Sequence, residues 1–450
     1  MQDLTQGKPI KVIILFTIPL IIGSFFQLAY NFADAMIVGH TLGQTAFASI
    51  GATGSLTFLI IGFAQGLTGG FSIIVAQRFG ARDYVGLKRS YVHGLFYTIV
   101  VSLILSIFSL LFLRQLLELM QTPDSLIKYC ERFLISIFGG AVFTVLFNYL
   151  SNVLRAVGNS TMPLIALVLA CLMNIGLDFL YILALHMGVF GAGVATVEAQ
   201  LFSVIFLLIY IKRKVPYFHL KRSDYRLNSA DLKLHARLGF PMAFQNSIIA
   251  LGSLTLQIVL NNLGTVAIAA QSITAKTDQL AMLPMMNLAQ AMSTFTAQNY
   301  GAHKFKRLIE GLRHTLYIVV IWAIAFALLL VTFDRFFSGL FINHPSENVY
   351  HLAKIAYMIN GLCYWILAIL FIVRGFIQGL GRSFAPTLAG VMELIMRVVV
   401  SIVGLATVGY TGVVCANPAA WCGSVVILIP AAIIYKKRLI DVVDKNKTSC

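Results

Sequence analysis

The chain has 450 residues, of which 59% are apolar and only 11% are charged, whereas soluble domains have roughly 45–50% apolar and about 25% charged residues. A mean hydropathy of +0.86 excludes a soluble enzyme, a disordered chain and a coiled coil, because none of these is so apolar. The net charge of +16 comes from basic loops between apolar runs. Such loops indicate membrane topology, so we expect no nucleic-acid partner.

Apolar runs long enough to cross a bilayer core, which takes about 20 residues, occur twelve times. They lie at 10–37, 44–68, 90–113, 127–154, 162–184, 189–211, 237–261, 265–296, 314–333, 350–378, 386–407 and 411–435. Lys and Arg are concentrated in the loops after the second, sixth and eighth runs and in the tail. The positive-inside rule therefore predicts a multi-pass protein of the cell membrane with both termini in the cytoplasm.

The chain repeats itself once, and the offset between the two copies is nearly constant. Leu42–Ala48 returns as Leu263–Ala269, and Gly158–Pro163 returns as Gly381–Pro386. A parallel repeat of six helices predicts an all-α fold with two pseudo-symmetric six-helix lobes around a central cleft, as in an alternating-access transporter. The predicted division is an N-terminal lobe at 1–212, a basic cytoplasmic linker at 213–235, a C-terminal lobe at 236–437 and a cytoplasmic tail at 438–450.

Three motifs carry a resemblance to a known family. They are Tyr30–Gly39 in the first run, Ala76–Ala81 after the second, and Arg155–Pro163 with its second-half copy. In this order and spacing the chain resembles the multidrug and toxic compound extrusion (MATE) family over about 10–437. The resemblance implies export of amphipathic, often cationic drugs in exchange for H⁺ or Na⁺. The pattern Asn174-x-x-x-Asp178 is similar to the DinF-like branch rather than the branch with acids in the second lobe.

Independently of this resemblance, acidic residues at membrane depth indicate a candidate ion-coupling site. A charge at a helix centre costs about 2.5–3.5 kcal/mol, so an intramembrane acid needs a compensating role. Asp34 and Asp178 both fall in the outer half of the membrane, Asn174 lies on the same helix face as Asp178, and Thr196 lies at similar depth. These four residues predict either an oxygen cage for Na⁺ or a pair of carboxyl groups that share a proton.

Other polar and adaptable side chains in the apolar runs suggest where the transported compound binds. The predicted cleft residues are Tyr30, Asn152, Lys276, Asp278, Met282 and Met286. Glu393 and Arg397 are i, i+4 neighbours, the spacing of a structural ion pair. Glu198 is a further intramembrane acid without an assigned role.

Two other functions compete with drug export. A flippase or exporter of a lipid-linked oligosaccharide would use a related scaffold, and a strongly cationic cleft would favour it. An enzyme is not predicted, because the runs contain no Ser/His or His/Asp pair at a common depth and no catalytic residues are identified. We expect no cofactor besides the coupling ion. The expected partners are amphipathic small molecules and the lipid bilayer, and the protein is expected to act as a monomer.

Overall fold

The computed structural model describes residues 2–120, 122–341 and 346–448, and these form helices and connecting turns with no strand. The last two residues of the predicted tail, 449 and 450, lie outside the described residues. The α-helices, in chain order, are α1 Pro9–Leu42, α2 Gln44–Gly80, α3 Tyr84–Leu111, α4 Leu113–Leu119, α5 Asp124–Gly139, α6 Ala141–Ala156, α7 Thr161–Asp178, α8 Gly188–Lys214, α9 Ser229–Asn261, α10 Thr265–Gly301, α11 Phe305–Thr332, α12 Asp334–Gly339, α13 Glu347–Gly379, α14 Phe384–Val408, α15 Tyr410–Val414 and α16 Ala416–Thr448. A π-helix, Phe179–Ala184, follows α7.

The helices of the second half repeat those of the first. Helices α2 and α10 both have 37 residues, and α3 and α11 both have 28. The turns repeat as well, because Gly43 and Gly264 both have positive φ, at 87° and 84°, directly before α2 and α10. Left-handed backbone favours glycine, since it has no Cβ to clash with the carbonyl oxygen. The structure thus confirms the predicted duplication of six helices.

One predicted apolar run is sharply bent. The run 127–154 is divided into α5 and α6, which bend by 48° at Gly140. Its counterpart in the second half, the run 350–378, lies in the continuous helix α13. The two halves therefore differ in the shape of their fourth span.

Length and composition identify most of the helices as membrane spans. Among the described residues, ten helices are long and apolar enough to cross a bilayer, and the bent pair α5 and α6 makes an eleventh span. The remaining predicted run, 265–296, lies in α10, which is outside this set because polar and charged residues such as Lys276 and Asp278 interrupt it. Large apolar side chains such as Ile321 and Leu328 lie exposed on α11, as a lipid-facing surface requires. The chain is a multi-pass helical membrane protein.

The helices form two compact units. The first, lobe one, comprises residues 1–3 and Ile18–Ala243, and the second, lobe two, comprises Leu4–Thr17 and 244–450. This grouping differs from the predicted division at 1–212 and 236–437. The start of α1 belongs to lobe two, and the linker with the start of α9 belongs to lobe one.

The repeated motif at the end of α2 and α10 explains this exchange of segments. At the end of α10, Gln298 accepts a hydrogen bond from the Leu4 backbone N–H (3.1 Å), and Asn299 donates to the Leu4 carbonyl (3.1 Å). At the end of α2, Arg78 forms an ion pair with Asp231 at the start of α9. Each lobe therefore binds the segment that leads into the first long helix of the other half.

Small residues allow close helix packing within lobe two. Gly375 and Gly379 lie one turn apart on α13, and a Cβ at either position would collide with α10, at Ala289 and at Ser293 respectively. In membranes such small residues bring helix backbones together, and van der Waals packing then stabilises the pair. The α10–α13 pair contains Asp278, a buried acid of this lobe.

Candidate functional site

Three helices of lobe one bring the predicted ion-coupling residues together. Helix α1 supplies Tyr30 and Asp34, α7 supplies Asn174 and Asp178, and α8 supplies Thr196. Residues four apart lie on one face of a helix, so each of the first two helices presents two polar groups on the same side. Asp178 is the last residue of α7, directly before the π-helical turns. Such π-helical turns are frequent at functional sites.

The two acids contact each other. The carboxyl group of Asp34 lies within hydrogen-bonding reach of the Asp178 carboxyl group. Asp178 is fully buried, and one oxygen of each carboxyl group, Oδ1 in both cases, is buried without a hydrogen-bond partner. Two carboxylates in contact repel each other strongly, so this pair is stable only when it holds a cation such as a proton.

The neighbouring polar groups are arranged differently from an oxygen cage. In the orientation that satisfies both ends of its amide, Asn174 donates through Nδ2 to Asp178 Oδ2 (3.1 Å) and accepts the Thr196 backbone N–H at its oxygen (3.2 Å). The Thr196 hydroxyl donates to the Ala192 carbonyl (3.1 Å), and the Tyr30 hydroxyl donates to Thr196 Oγ1 (3.4 Å). The amide oxygen is therefore turned away from the carboxyl pair.

Two other sequence-identified residues of lobe one lie outside this group. Asn152 on α6 donates to the Thr68 hydroxyl on α2 (3.3 Å) and accepts from Arg155 (3.3 Å). Glu198 on α8 accepts a hydrogen bond from Tyr181 (2.6 Å) in the π-helical segment. Tyr30, predicted in the substrate cleft, instead contacts the ion-coupling group through Thr196.

Lobe two contains a second buried acid in a different environment. Asp278 on α10 accepts hydrogen bonds from Asn360 Nδ2 (2.9 Å) and from the Tyr364 hydroxyl, both on α13. Lys276 is exposed and lies on another face of α10, and no basic side chain pairs with Asp278 among the described residues. Of the predicted methionines on this helix, Met282 is half-buried and Met286 is exposed.

The predicted ion pair of α14 is present, and a third charged residue joins it. Arg397 Nη2 lies 3.2 Å from Glu393 Oε1, and Arg374 Nη2 on α13 lies 3.0 Å from Glu393 Oε2. The sequence interpretation missed Arg374, although a basic residue inside the apolar run 350–378 was a visible signal. Its partner lies on another helix, so spacing along the chain does not reveal it. Asn360 and Tyr364 were missed for the same reason.

Comparison with known proteins places the chain in a family. The MatE family model matches residues 19–180 and again residues 241–403, together more than two thirds of the chain. The starts of the two matches are separated in the same way as the two copies of the internal repeat, so each half of the chain matches the model by itself.

Named relatives and solved structures agree. The probable multidrug resistance protein YpnP of Bacillus subtilis is 27% identical over 385 residues, 84% of each chain. The multidrug export protein MepA of Staphylococcus saprophyticus is 23% identical over 411 residues, 91% of this chain and 90% of the relative. A solved outward-facing multidrug resistance MATE family transporter of the MOP superfamily shares the fold, with a TM-score of 0.90, 22% identity and coverage of 97% and 98%. The chain belongs to the MatE family.

Proposed function

We propose that this protein is a secondary active antiporter that exports amphipathic, cationic compounds from the cytoplasm in exchange for protons by alternating access. Membership of the MatE family and the multidrug resistance and export names of the relatives support transport rather than catalysis. The observation that carries the proposal is the contact between the carboxyl groups of Asp34 and Asp178 in lobe one.

Proton exchange at this pair provides a mechanism for coupling. With one proton the two carboxyl groups share a hydrogen bond, and without it they repel each other across the α1–α7 contact. Loss of the proton therefore favours a different packing of these two helices. An ion and a drug exchange when each favours a different state of the same element, because a ligand shifts a population only through differential affinity.

The surrounding hydrogen bonds favour H⁺ over Na⁺. Of the predicted oxygen ligands, the Asn174 oxygen accepts the Thr196 N–H, and Asn174 presents an N–H to Asp178. The Thr196 hydroxyl donates to Ala192. Asp34 Oδ1 and Asp178 Oδ1 are the oxygens of this group that have no hydrogen-bond partner, and two oxygens suit a shared proton better than a metal ion that needs a full shell of oxygen ligands.

The experiment uses everted membrane vesicles and the cationic dye rhodamine 123. A pH gradient with an acidic lumen and a Na⁺ gradient with high luminal Na⁺ are imposed separately. We expect the acidic lumen alone to drive dye uptake. Uptake driven by Na⁺ at equal pH would overturn the choice of ion, and no uptake under either gradient would overturn the proposed antiport of this dye.

The orientation of the chain in the membrane is part of the same proposal. The basic loops support cytoplasmic termini in the cell membrane, and the proposed functional unit is a monomer. In a variant without native cysteines, single cysteines at Asp224 and at Glu347 test the topology in intact cells. We expect an impermeant thiol reagent to label position 347 and not position 224. The reverse pattern would contradict the orientation.

A further inference from the structure

Lobe two contains a buried cluster of three charged side chains from α13 and α14. Arg374 and Arg397 each donate to a different oxygen of Glu393, at 3.0 and 3.2 Å. The side chains of Arg374, Arg397 and Glu393 are 10%, 7% and 7% exposed. Glu393 and Arg397 lie about 14 and 20 Å along α14 from its first residue, at a rise of 1.5 Å per residue.

The cluster carries a net positive charge. It contains two guanidinium groups and one carboxylate, and within the part of the chain that the structure describes no second acid pairs with either arginine. An uncompensated charge inside a membrane span is unfavourable, and such residues mark ligand or ion pathways. A single anionic group would neutralise this cluster.

Hydrogen bonding leaves donors available for such a group. Both Glu393 oxygens are engaged, since Oε1 accepts from Arg397 and Oε2 accepts from Arg374 and from the Ser424 hydroxyl (3.3 Å). Each guanidinium has five N–H donors and uses one Nη atom on Glu393. The Nε atoms of both arginines are buried without a partner.

Helix α9 packs closely against Arg397 at Gly252. A Cβ at Gly252 would lie 2.9 Å from Arg397 Nη1, so any larger residue there would displace the guanidinium group. Guanidinium groups bind carboxylates and phosphates through two parallel N–H bonds, which give both affinity and orientation. Two arginines with spare donors therefore match the chemistry of an anionic oxygen group.

We propose that Arg374 and Arg397 form a binding site for a carboxylate or phosphate group carried by the transported compound. Zwitterionic amphiphiles are then substrates in addition to simple cations. This inference rests on the proposed export function and names a class of compound within it.

A matched pair of dyes tests the site. Rhodamine 123 is the methyl ester of rhodamine 110, which has a free carboxylate, so the two dyes differ only in the proposed anchor. Binding and gradient-driven uptake of each dye are measured with the full-length protein in phosphatidylcholine liposomes. We expect the wild-type protein to bind rhodamine 110 about tenfold more tightly than rhodamine 123, the effect of one charge-assisted hydrogen bond. Equal or weaker binding of rhodamine 110 would overturn the inference.

Variants separate the site from general effects on folding. Arg374→Gln and Arg397→Gln should remove the preference for rhodamine 110, with rhodamine 123 uptake as the internal check of folding. Arg374→Lys and Arg397→Lys keep the charge and should retain part of the preference if a glutamine variant fails to fold. Arg335→Gln is the matched control, because Arg335 is 73% exposed. A preference that survives in folded variants of both arginines would overturn the inference.

Two further comparisons distinguish the proposed site from a binding site for a lipid headgroup, and its failure from the failure of export itself. Added phosphatidylglycerol should leave the rhodamine 110 preference unchanged. Its loss on addition of this anionic lipid would assign the cluster to a headgroup and overturn the proposal. Rhodamine 123 uptake without a rhodamine 110 preference would leave the proposed function intact and refute only this site. Uptake of rhodamine 110 alone would support this site and contradict the proposed preference for cations.

Discussion

The two lobes bury acids in opposite ways. In lobe one Asp34 and Asp178 face each other, and each keeps a buried oxygen without a partner. In lobe two Asp278 is alone and accepts hydrogen bonds from Asn360 and Tyr364. A buried carboxylate with matched donors is stabilised in its charged form, whereas two facing carboxyl groups need a proton or another cation.

The difference shows that burial of an acid does not by itself indicate coupling. What matters is whether the neighbours satisfy the charged form. Asp278 accepts hydrogen bonds from Asn360 and Tyr364 on α13, whereas Asp34 faces a second carboxyl group and keeps a buried oxygen without a partner. From this contrast we expect four substitutions to have different effects.

The largest effect on transport is expected for Asp34→Asn. The amide keeps the size of the side chain and removes the exchangeable proton, so the gradient no longer drives drug movement. Coupling free energies of about 1–3 kcal/mol correspond to a fall of about 5- to 150-fold in gradient-driven uptake, measured with rhodamine 123 in proteoliposomes. Glu198→Gln is the matched control, since that acid in the same lobe bonds only Tyr181 among the contacts described. Normal pH-driven uptake by the Asp34 variant would contradict the assignment.

A loss of stability is expected for Glu393→Gln. Removal of one partner of a buried ion pair leaves uncompensated charge, which destabilises a protein by about 3–5 kcal/mol. The free energy of unfolding in mixed micelles measures the change. The control is Glu347→Gln, whose exposed pair with Arg335 (3.5 Å) is expected to contribute less than about 1 kcal/mol. Equal stability of the two variants would show that the buried cluster is not held by Glu393.

A smaller and purely structural effect is expected for Asp278→Asn. The asparagine retains one acceptor for Tyr364 or Asn360 and leaves the other donor without a partner, which costs about 1–3 kcal/mol. Tyr364→Phe removes the same bond from the other side and should give a similar change in unfolding free energy. Uptake should remain dependent on the pH gradient. A folded Asp278 variant that has lost this dependence would erase the contrast between the lobes.

The smallest effect is expected for Tyr30→Phe. This substitution removes one hydrogen bond to Thr196 at 3.4 Å, and a neutral hydrogen bond contributes about 0.5–1.5 kcal/mol. The rate of pH-driven uptake should change by less than about tenfold, and the pH dependence should keep its direction. Complete loss of coupling would make Tyr30 part of the proton site.

The sequence predicted what depends on a single helix or on the repeat. The spacing of Asn174 and Asp178 predicted a shared face, and the copies of Gly43 and Gly158 predicted matching turns. Contacts between helices were not accessible in this way. The partner of Glu393 on α13 and the orientation of the Asn174 amide depend on how helices are rotated against each other. Side-chain periodicity does not specify that rotation.

The bend at Gly140 was missed for a related reason. Mostly apolar residues continue on both sides of the break, from Phe133 to Phe147, so hydropathy gives no sign of a bend there. Two adjacent glycines, Gly139 and Gly140, were the available signal, because glycine weakens a helix interior by about 1 kcal/mol relative to alanine. The counterpart helix α13 has no such pair at its centre.

The π-helical segment after Asp178 also indicates how the two halves diverged. The stretch from Gly158 to Gly188 is slightly longer than its copy from Gly381 to Gly409, and all four glycines have positive φ. The first half has therefore gained a short insertion between these turns, or the second has undergone a short deletion. Lobe one accommodates the extra length in wider helical turns after Asp178, so the insertion or deletion lies beside this acid and leaves the earlier part of α7 in register with α14.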